Sequence, residues 1–239
     1  MKNNKFLLCI VTVLFTASLL LTGCSDGPSS SSGSSSTSGP SSSGSTSGSS
    51  SETPGSSSGS EAPEPGKVTL TYEITGGTAT VTGVHGNPTG TVTIPEKTPD
   101  GATVTRINSY AFYNSDLTGV VLPDTLTYIG DYAFAGSALK QLVLPNSLKI
   151  VGKAAFSACR SMTTVVLNGD PEYQGSASTG VFSGCDQLQT VTIANGLTQL
   201  GDGMFAHCTK LSAVVLPDPL TRIGEPAFFS CHALKRIPL

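Results

Sequence analysis

Phenylalanine recurs in this chain at a nearly fixed interval. Phe112, Phe134, Phe156, Phe182, Phe205 and Phe228 stand 22, 22, 26, 23 and 23 residues apart. A period of that size marks a unit that cannot bury its own apolar face and must stack on its neighbours. The surrounding residues repeat as well, and the unit reads L-x-x-V-x-L-P-x-x-L-x-x-I-G-x-x-A-F-x-x-C. One copy is Leu117, Val120, Leu122, Pro123, Leu126, Ile129, Gly130, Ala133, Phe134 and Ser137. The next is Leu139, Leu142, Leu144, Pro145, Leu148, Val151, Gly152, Ala155, Phe156 and Cys159. Later copies carry Leu188 to Cys208 and Leu211 to Cys231, and Val92, Ile94, Pro95, Val104 and Ile107 form an earlier, looser one.

The V-x-L pair alternates, which predicts a short strand with both apolar residues inward. Proline ends it, because proline has no N–H for a ladder and fixes φ near −65°. The L-x-x-I segment predicts a second extended side and Gly a corner. The x-x-A-F-x-x segment predicts about one helical turn, too short to persist without packing. Stacked copies then give parallel ladders about 4.8 Å apart with Phe inside. The expected fold is an α/β repeat solenoid of short parallel strands and short helical turns.

The words L-x-x-V-x-L-P, I-G-x-x-A-F and F-x-x-C resemble the BspA-type leucine-rich repeat of bacterial surface antigens, from Lys67 to Leu239. The resemblance implies a protein-binding role in adhesion to host matrix proteins or in cell–cell contact. Two departures stand out. The fourth unit has Asn168 to Gly180 in place of L-x-x-I-G, which predicts that the second ladder is interrupted there. The sequence also stops at Leu239, where the next strand would end, so the array is expected to be a truncated copy or to protect its last edge otherwise.

Ahead of the repeats, Lys2 and Lys5 precede an apolar run from Phe6 to Leu21 and the word Leu21-Thr22-Gly23-Cys24. This pattern reads as an export signal over residues 1–23. Leu-Thr-Gly-Cys matches the lipobox of bacterial lipoproteins, which implies that Cys24 is the first mature residue and is acylated. Acyl chains there would hold the protein to a membrane without crossing it. Residues 24–66 are the lipidated Cys and a tether made almost entirely of Ser, Gly, Thr and Pro, too poor in apolar side chains to offset the entropy of folding. As a flexible coil it spans roughly 35 Å root-mean-square. The expected address is the bacterial cell envelope, lipid-anchored and surface-exposed.

Residues 67–90 read as a β-hairpin cap and loop, with Val68, Leu70, Tyr72 and Ile74 alternating before Gly76-Gly77 and Ala79 and Val81 after it. Residues 91–239 are the solenoid. Removing Lys2 and Lys5 leaves 11 basic residues against 16 acidic ones, a formal charge of −5, with no basic run. Nucleic acid is therefore not an expected partner.

Cys159, Cys185, Cys208 and Cys231 share the F-x-x-C slot, which Ser115 and Ser137 fill in the first two units. A slot that takes Ser asks for a small, nearly buried side chain, so a column of free thiols is one reading; vertical disulfides in an exported protein are the other. His207-Cys208 and Cys231-His232 raise the thought of a metal, but the thiols point inward and the neighbouring imidazoles away. No G-x-S-x-G, H-E-x-x-H or phosphate loop occurs, so neither an enzyme nor a cofactor is expected.

Three surfaces are candidates for binding. The outward column of the strands is Thr93, Val121, Val143, Val166, Thr192 and Val215, which strand propensity alone would favour and which a partner could also cover. A second column puts Tyr110 above Tyr132, with Tyr128 and Tyr113 nearby; Tyr is rigid, amphipathic and frequent in binding hot spots, and it also stacks on sugar rings. The third is the Asn168 to Gly180 segment with Tyr173. The expected ligand is a protein; a glycan, or a passive scaffold with no ligand, are the alternatives.

Overall fold

The computed structural model describes residues 68–194 and 196–235. The export signal, Cys24 and the tether lie outside these residues. The chain opens with a hairpin, β1 (Thr69–Thr75) and β2 (Thr78–His85), paired antiparallel. Gly76 and Gly77 form its two-residue turn with φ of 57° and 79°, the left-handed pair that matches the twist of the flanking strands.

The solenoid strands follow as β3 (Gly90–Thr93), β4 (Thr103–Ile107), β5 (Leu117–Val121), β6 (Tyr128–Ile129), β7 (Gln141–Val143), β8 (Ile150–Val151), β9 (Thr164–Leu167), β10 (Glu172–Tyr173), β11 (Thr190–Ile193), β12 (Gln199–Leu200), β13 (Ala213–Val215) and β14 (Arg222–Ile223). Odd-numbered strands from β3 carry the V-x-L residues and build the front ladder, as β3 with β5 and then β7 through β13 in order. Between β5 and β7 the ladder narrows to single bonds such as Lys140 N–H to Thr118 O, 3.1 Å. Even-numbered strands build the second ladder, in which β1-β2-β4-β6-β8-β10 form one sheet and β12-β14 another. The hairpin thus extends the second ladder through the parallel pair of β2 and β4.

The Asn168 to Gly180 segment does not break the second ladder where its letters suggest. Glu172 and Tyr173 pair in parallel with Ile150 and Val151. The break comes one step later, between β10 and β12, where the Asp170 carboxylate takes over by accepting the Thr198 N–H and hydroxyl at 2.9 Å each.

The A-F segment is not helical either. Tyr110, Phe112 and Asn114 give their N–H groups to Asp131, Ala133 and Ala135 of the next rung at 3.0, 2.7 and 2.8 Å, while Ala111, Tyr113 and Ser115 close turns within their own rung. A helix would direct every N–H along its own segment; here alternate groups serve a third inter-rung column. The alternation needs left-handed residues. The second position after each Phe has positive φ in all six units: Asn114, Gly136, Ala158, Gly184, His207 and Ser230. Tyr110, Tyr132, Ala154 and Gly203, each two places before its Phe, are also left-handed.

Inside, the six Phe rings form one stack with centroids 4.8 to 5.6 Å apart and planes within 6° to 12°. Phe112, Phe134, Phe156, Phe182 and Phe205 are fully buried. Phe228, expected to be buried with them, is half-buried, since among the described residues no further rung covers it. Each fully buried ring contributes about 1.5 to 3 kcal/mol through the apolar area it removes from water.

The small slot after each Phe has a specific partner. Cys159, Cys185, Cys208 and Cys231 are free thiols, and each S–H points to the carbonyl of the preceding rung's Phe, at 3.2, 3.2, 3.3 and 3.1 Å. Burial pushes the Cys208 and Cys231 thiols up, which keeps them protonated as donors. Ser137 shares the slot and sits 3.3 Å from the Cys159 sulfur. Ser115 has no preceding Phe, and its buried hydroxyl is without a partner. Removing the Ser137 hydroxyl should therefore cost about 1 kcal/mol, whereas Ser115→Ala should cost nothing or stabilise slightly, because an unmet buried hydroxyl is already a liability. Paired urea melts of the two variants check this; equal losses would contradict it.

Candidate functional site

The left-handed backbone at Tyr110 and Tyr132 aims both side chains out of the turn column. This conformation is uncommon for a bulky residue and costs about 1 kcal/mol. The same place holds Ala154 and Gly203 in later rungs. With the two residues 22 apart, one rung step, their rings lie parallel, 5.2 Å between centroids and 6° between planes. Tyr113 packs edge-on against Tyr110 at 5.6 Å. Tyr110 and Tyr113 are 56% and 50% exposed, so half of each aromatic surface faces solvent. Tyr132 is half-buried between its neighbours. The structure thus brings Tyr110, Tyr113 and Tyr132 into one rigid cluster.

Tyr128 lies on the outward side of β6, half-buried under Arg106, whose guanidinium carbon is 3.7 Å from the ring centroid. The two are register partners across β4 and β6. Sequence reasoning left Arg106 out, although its separation of 22 from Tyr128 carried the signal. The guanidinium occupies the ring face by cation–π attraction, so Tyr128 is a supporting residue rather than an open contact.

The outward column of the front ladder is aligned. Thr93 pairs with Val121, and Val143, Val166, Thr192 and Val215 follow each other in register. Val121, Val143 and Val215 are exposed, and Val166 is half-buried. The neighbouring outward positions are Thr91, Gly119, Gln141, Thr164, Thr190 and Ala213. The face carries no charged side chain at any of these positions.

Tyr173, expected as a contact residue, is half-buried against the core. It matches Val151 in the ladder and has a buried hydroxyl with no hydrogen-bond partner. Burial, and then the Asp170 charge, push its hydroxyl pKa up. It takes the place of the missing I of L-x-x-I. A shallow cleft of about 400 Å³ opens beside it, lined by Asp170, Glu172, Thr198, Gln199 and Arg222, with Arg222 held to Asp202 at 3.0 Å. His207 packs edge-on against Phe229 at 5.3 Å, and among the described residues no three His, Cys, Asp or Glu converge as a metal would require.

Comparison with known sequences finds six consecutive copies of the BspA type leucine rich repeat region over residues 105–238, more than half of the chain. The chain belongs to the BspA-type leucine-rich repeat family. Among solved structures it is similar to a T. pallidum leucine rich repeat protein, at 27% identity and a TM-score of 0.54, over 73% of this chain and 90% of that one. A leucine rich cell surface protein from Faecalibacterium prausnitzii A2-165 matches at 31% identity and a TM-score of 0.55, over 74% of this chain and 54% of that one. A leucine-rich repeat protein from Eubacterium ventriosum matches at 28% and 0.53, covering 63% and 39%. The chain thus spans about half or less of the last two relatives. No match was found among curated protein sequences. Within this BspA-type array the Phe stack and the small slot after each Phe repeat in every rung, while Tyr110 and Tyr132 occupy a position that varies from rung to rung.

Proposed function

We propose that the protein is a bacterial cell-surface lipoprotein, anchored through Cys24, whose repeat domain binds a protein partner through Tyr110, Tyr113 and Tyr132 together with the neutral front face. The carrying observation is the aromatic cluster. Two Tyr side chains fill a left-handed position of the turn column that Ala154 and Gly203 fill in later rungs, so the backbone there asks for no aromatic ring and the rings are a feature of these two rungs. Rigid, half-exposed rings lose little entropy on association and anchor protein interfaces. The F. prausnitzii relative, described as a cell surface protein, and the Leu21 to Cys24 word support the address. The role is binding rather than catalysis.

A glycan would need a free ring face to stack on. One face of Tyr110 is covered by Tyr132 and Tyr113 packs edge-on against the same ring, which favours a protein contact. The mature chain, displayed on a panel of matrix proteins and on a glycan array, separates these readings. Binding to a matrix protein is expected, and Tyr110→Ala with Tyr132→Ala should weaken it by about 2 kcal/mol or more, roughly 30-fold in Kd. Equal binding by wild type and variant would remove the cluster from the site. Binding only to glycans would remove the protein reading.

A further inference from the structure

The hairpin leaves one sheet edge open. Strand β1 ends the six-strand sheet, and among the described residues no other element pairs with its outer side. Seven residues of edge stand unpaired, without Lys or Pro; Glu73 is its one charge, and the bulge beside Thr71 and Tyr72 inserts Thr82 of β2, leaving the alternation of β1 itself unbroken. Its sequence, Thr69-Leu70-Thr71-Tyr72-Glu73-Ile74-Thr75, reads nearly the same in both directions, with Tyr72 at the centre. We propose that β1 pairs antiparallel with β1 of a second copy about a two-fold axis through Tyr72.

The register follows from the pattern. In that arrangement Thr69 faces Thr75 of the other copy, Leu70 faces Ile74, Thr71 faces Glu73, and Tyr72 faces Tyr72. Each pairing is of a kind that stabilises or is neutral across antiparallel strands, and Glu73 meets Thr71 rather than another carboxylate. The backbone agrees. Thr75 and Thr78 close the two-residue turn as a hydrogen-bonded pair, and such pairs alternate along the strand. Ile74 and Tyr72 therefore turn their N–H and C=O groups away from β2, and these are the groups the two-fold register uses. The side chains agree too. Ile74 and Tyr72 stand beside the buried Ala79 and Val81, yet Ile74 is 45% exposed. A second copy's Leu70 would cover it and continue the apolar face across the axis. An unrelated partner strand would gain the backbone bonds but not this self-matching register, and an isologous contact requires such self-complementarity.

Sedimentation of the mature chain over a range of concentrations tests the proposal, together with Ile74→Pro and Tyr72→Cys. The wild type is expected to shift from monomer to dimer as concentration rises. Ile74→Pro removes an N–H that the hairpin does not use, so it should keep the wild-type circular dichroism and lose the dimer. Tyr72→Cys, oxidised by dissolved oxygen, should form a disulfide between copies at residue 72, since opposed Cα atoms about 5.5 Å apart suit that bond. Glu73→Cys, which lies off the axis, should not. A wild type that stays monomeric throughout overturns the proposal, as does a dimer that survives Ile74→Pro or a residue-73 cross-link forming as readily as the residue-72 one. Should Ile74→Pro unfold the hairpin, the cross-linking pattern alone decides.

Discussion

Phe156→Ala should cost about 3 to 5 kcal/mol and lower the melting temperature of the whole solenoid, not of one rung. Phe156 is fully buried and stacks on Phe134 at 5.2 Å and on Phe182 at 5.4 Å. Truncation takes away the transfer energy of the ring and leaves a void between two rings that the backbone holds apart. The ladders fix the rungs from both sides, so little collapse can relieve it. Because each rung is stable only through its neighbours, weakening one interface divides the stack into two shorter arrays. Calorimetry should show a lower and broader transition. The half-buried Phe228 gives the internal comparison, since Phe228→Ala opens no enclosed void and should cost clearly less. A melt of Phe156→Ala indistinguishable from wild type would refute the account of the core.

Gly130→Ala should cost about 3 kcal/mol or more, at the upper end of what overpacking produces. A Cβ at this corner would stand 2.4 Å from the Ser109 nitrogen and 2.7 Å from the Asn108 carbonyl carbon. These are backbone atoms of the adjacent rung and cannot rotate away. The rungs would have to part, lengthening the 2.9 Å bond from Gly130 N–H to Ile107 O and the 3.0 Å bond from Tyr110 N–H to Asp131 O. Gly184→Ala is the contrasting case. Its φ is +74°, but an added Cβ would lie 3.7 Å from the nearest atom, and Ala158 already occupies the equivalent place with φ of 54°. That change should cost only about 1 kcal/mol of backbone strain. Denaturant melts that rank the two variants the other way would show that close approach is not what the corner glycine serves.

The contrast between these glycines shows where the letters sufficed and where they did not. The V-x-L and L-x-x-I strands, the hairpin about Gly76-Gly77 and the stacking of Tyr110 on Tyr132 all follow from periods of 2 and 22 visible in the chain. The A-F segment was misread as a helical turn because one repeat viewed alone offers no acceptor for its N–H groups except its own carbonyls. The acceptors stand in the next rung, and the left-handed residues that reach them include Ala158 and His207, which carry no turn signature. Tyr173 was misread for a different reason. Pro171 and Tyr173 keep the inward alternation of a strand while replacing its usual aliphatic residues, so the period survived where the consensus failed. Arg106 over Tyr128 was legible by spacing, but a lone charged residue in a strand offers no reason to look for the ring one rung away.

The three inter-rung columns have a mechanical consequence. Their bonds lie along the axis of the stack, so a pull along that axis does not load them together, as it would load strands that slide past one another. It peels them a rung at a time from an end. A ligand held at Tyr110 and Tyr132 would grip the rungs nearest the hairpin. Force passing between that ligand and the chain entering β1 would then cross few rungs, leaving most of the stack unloaded.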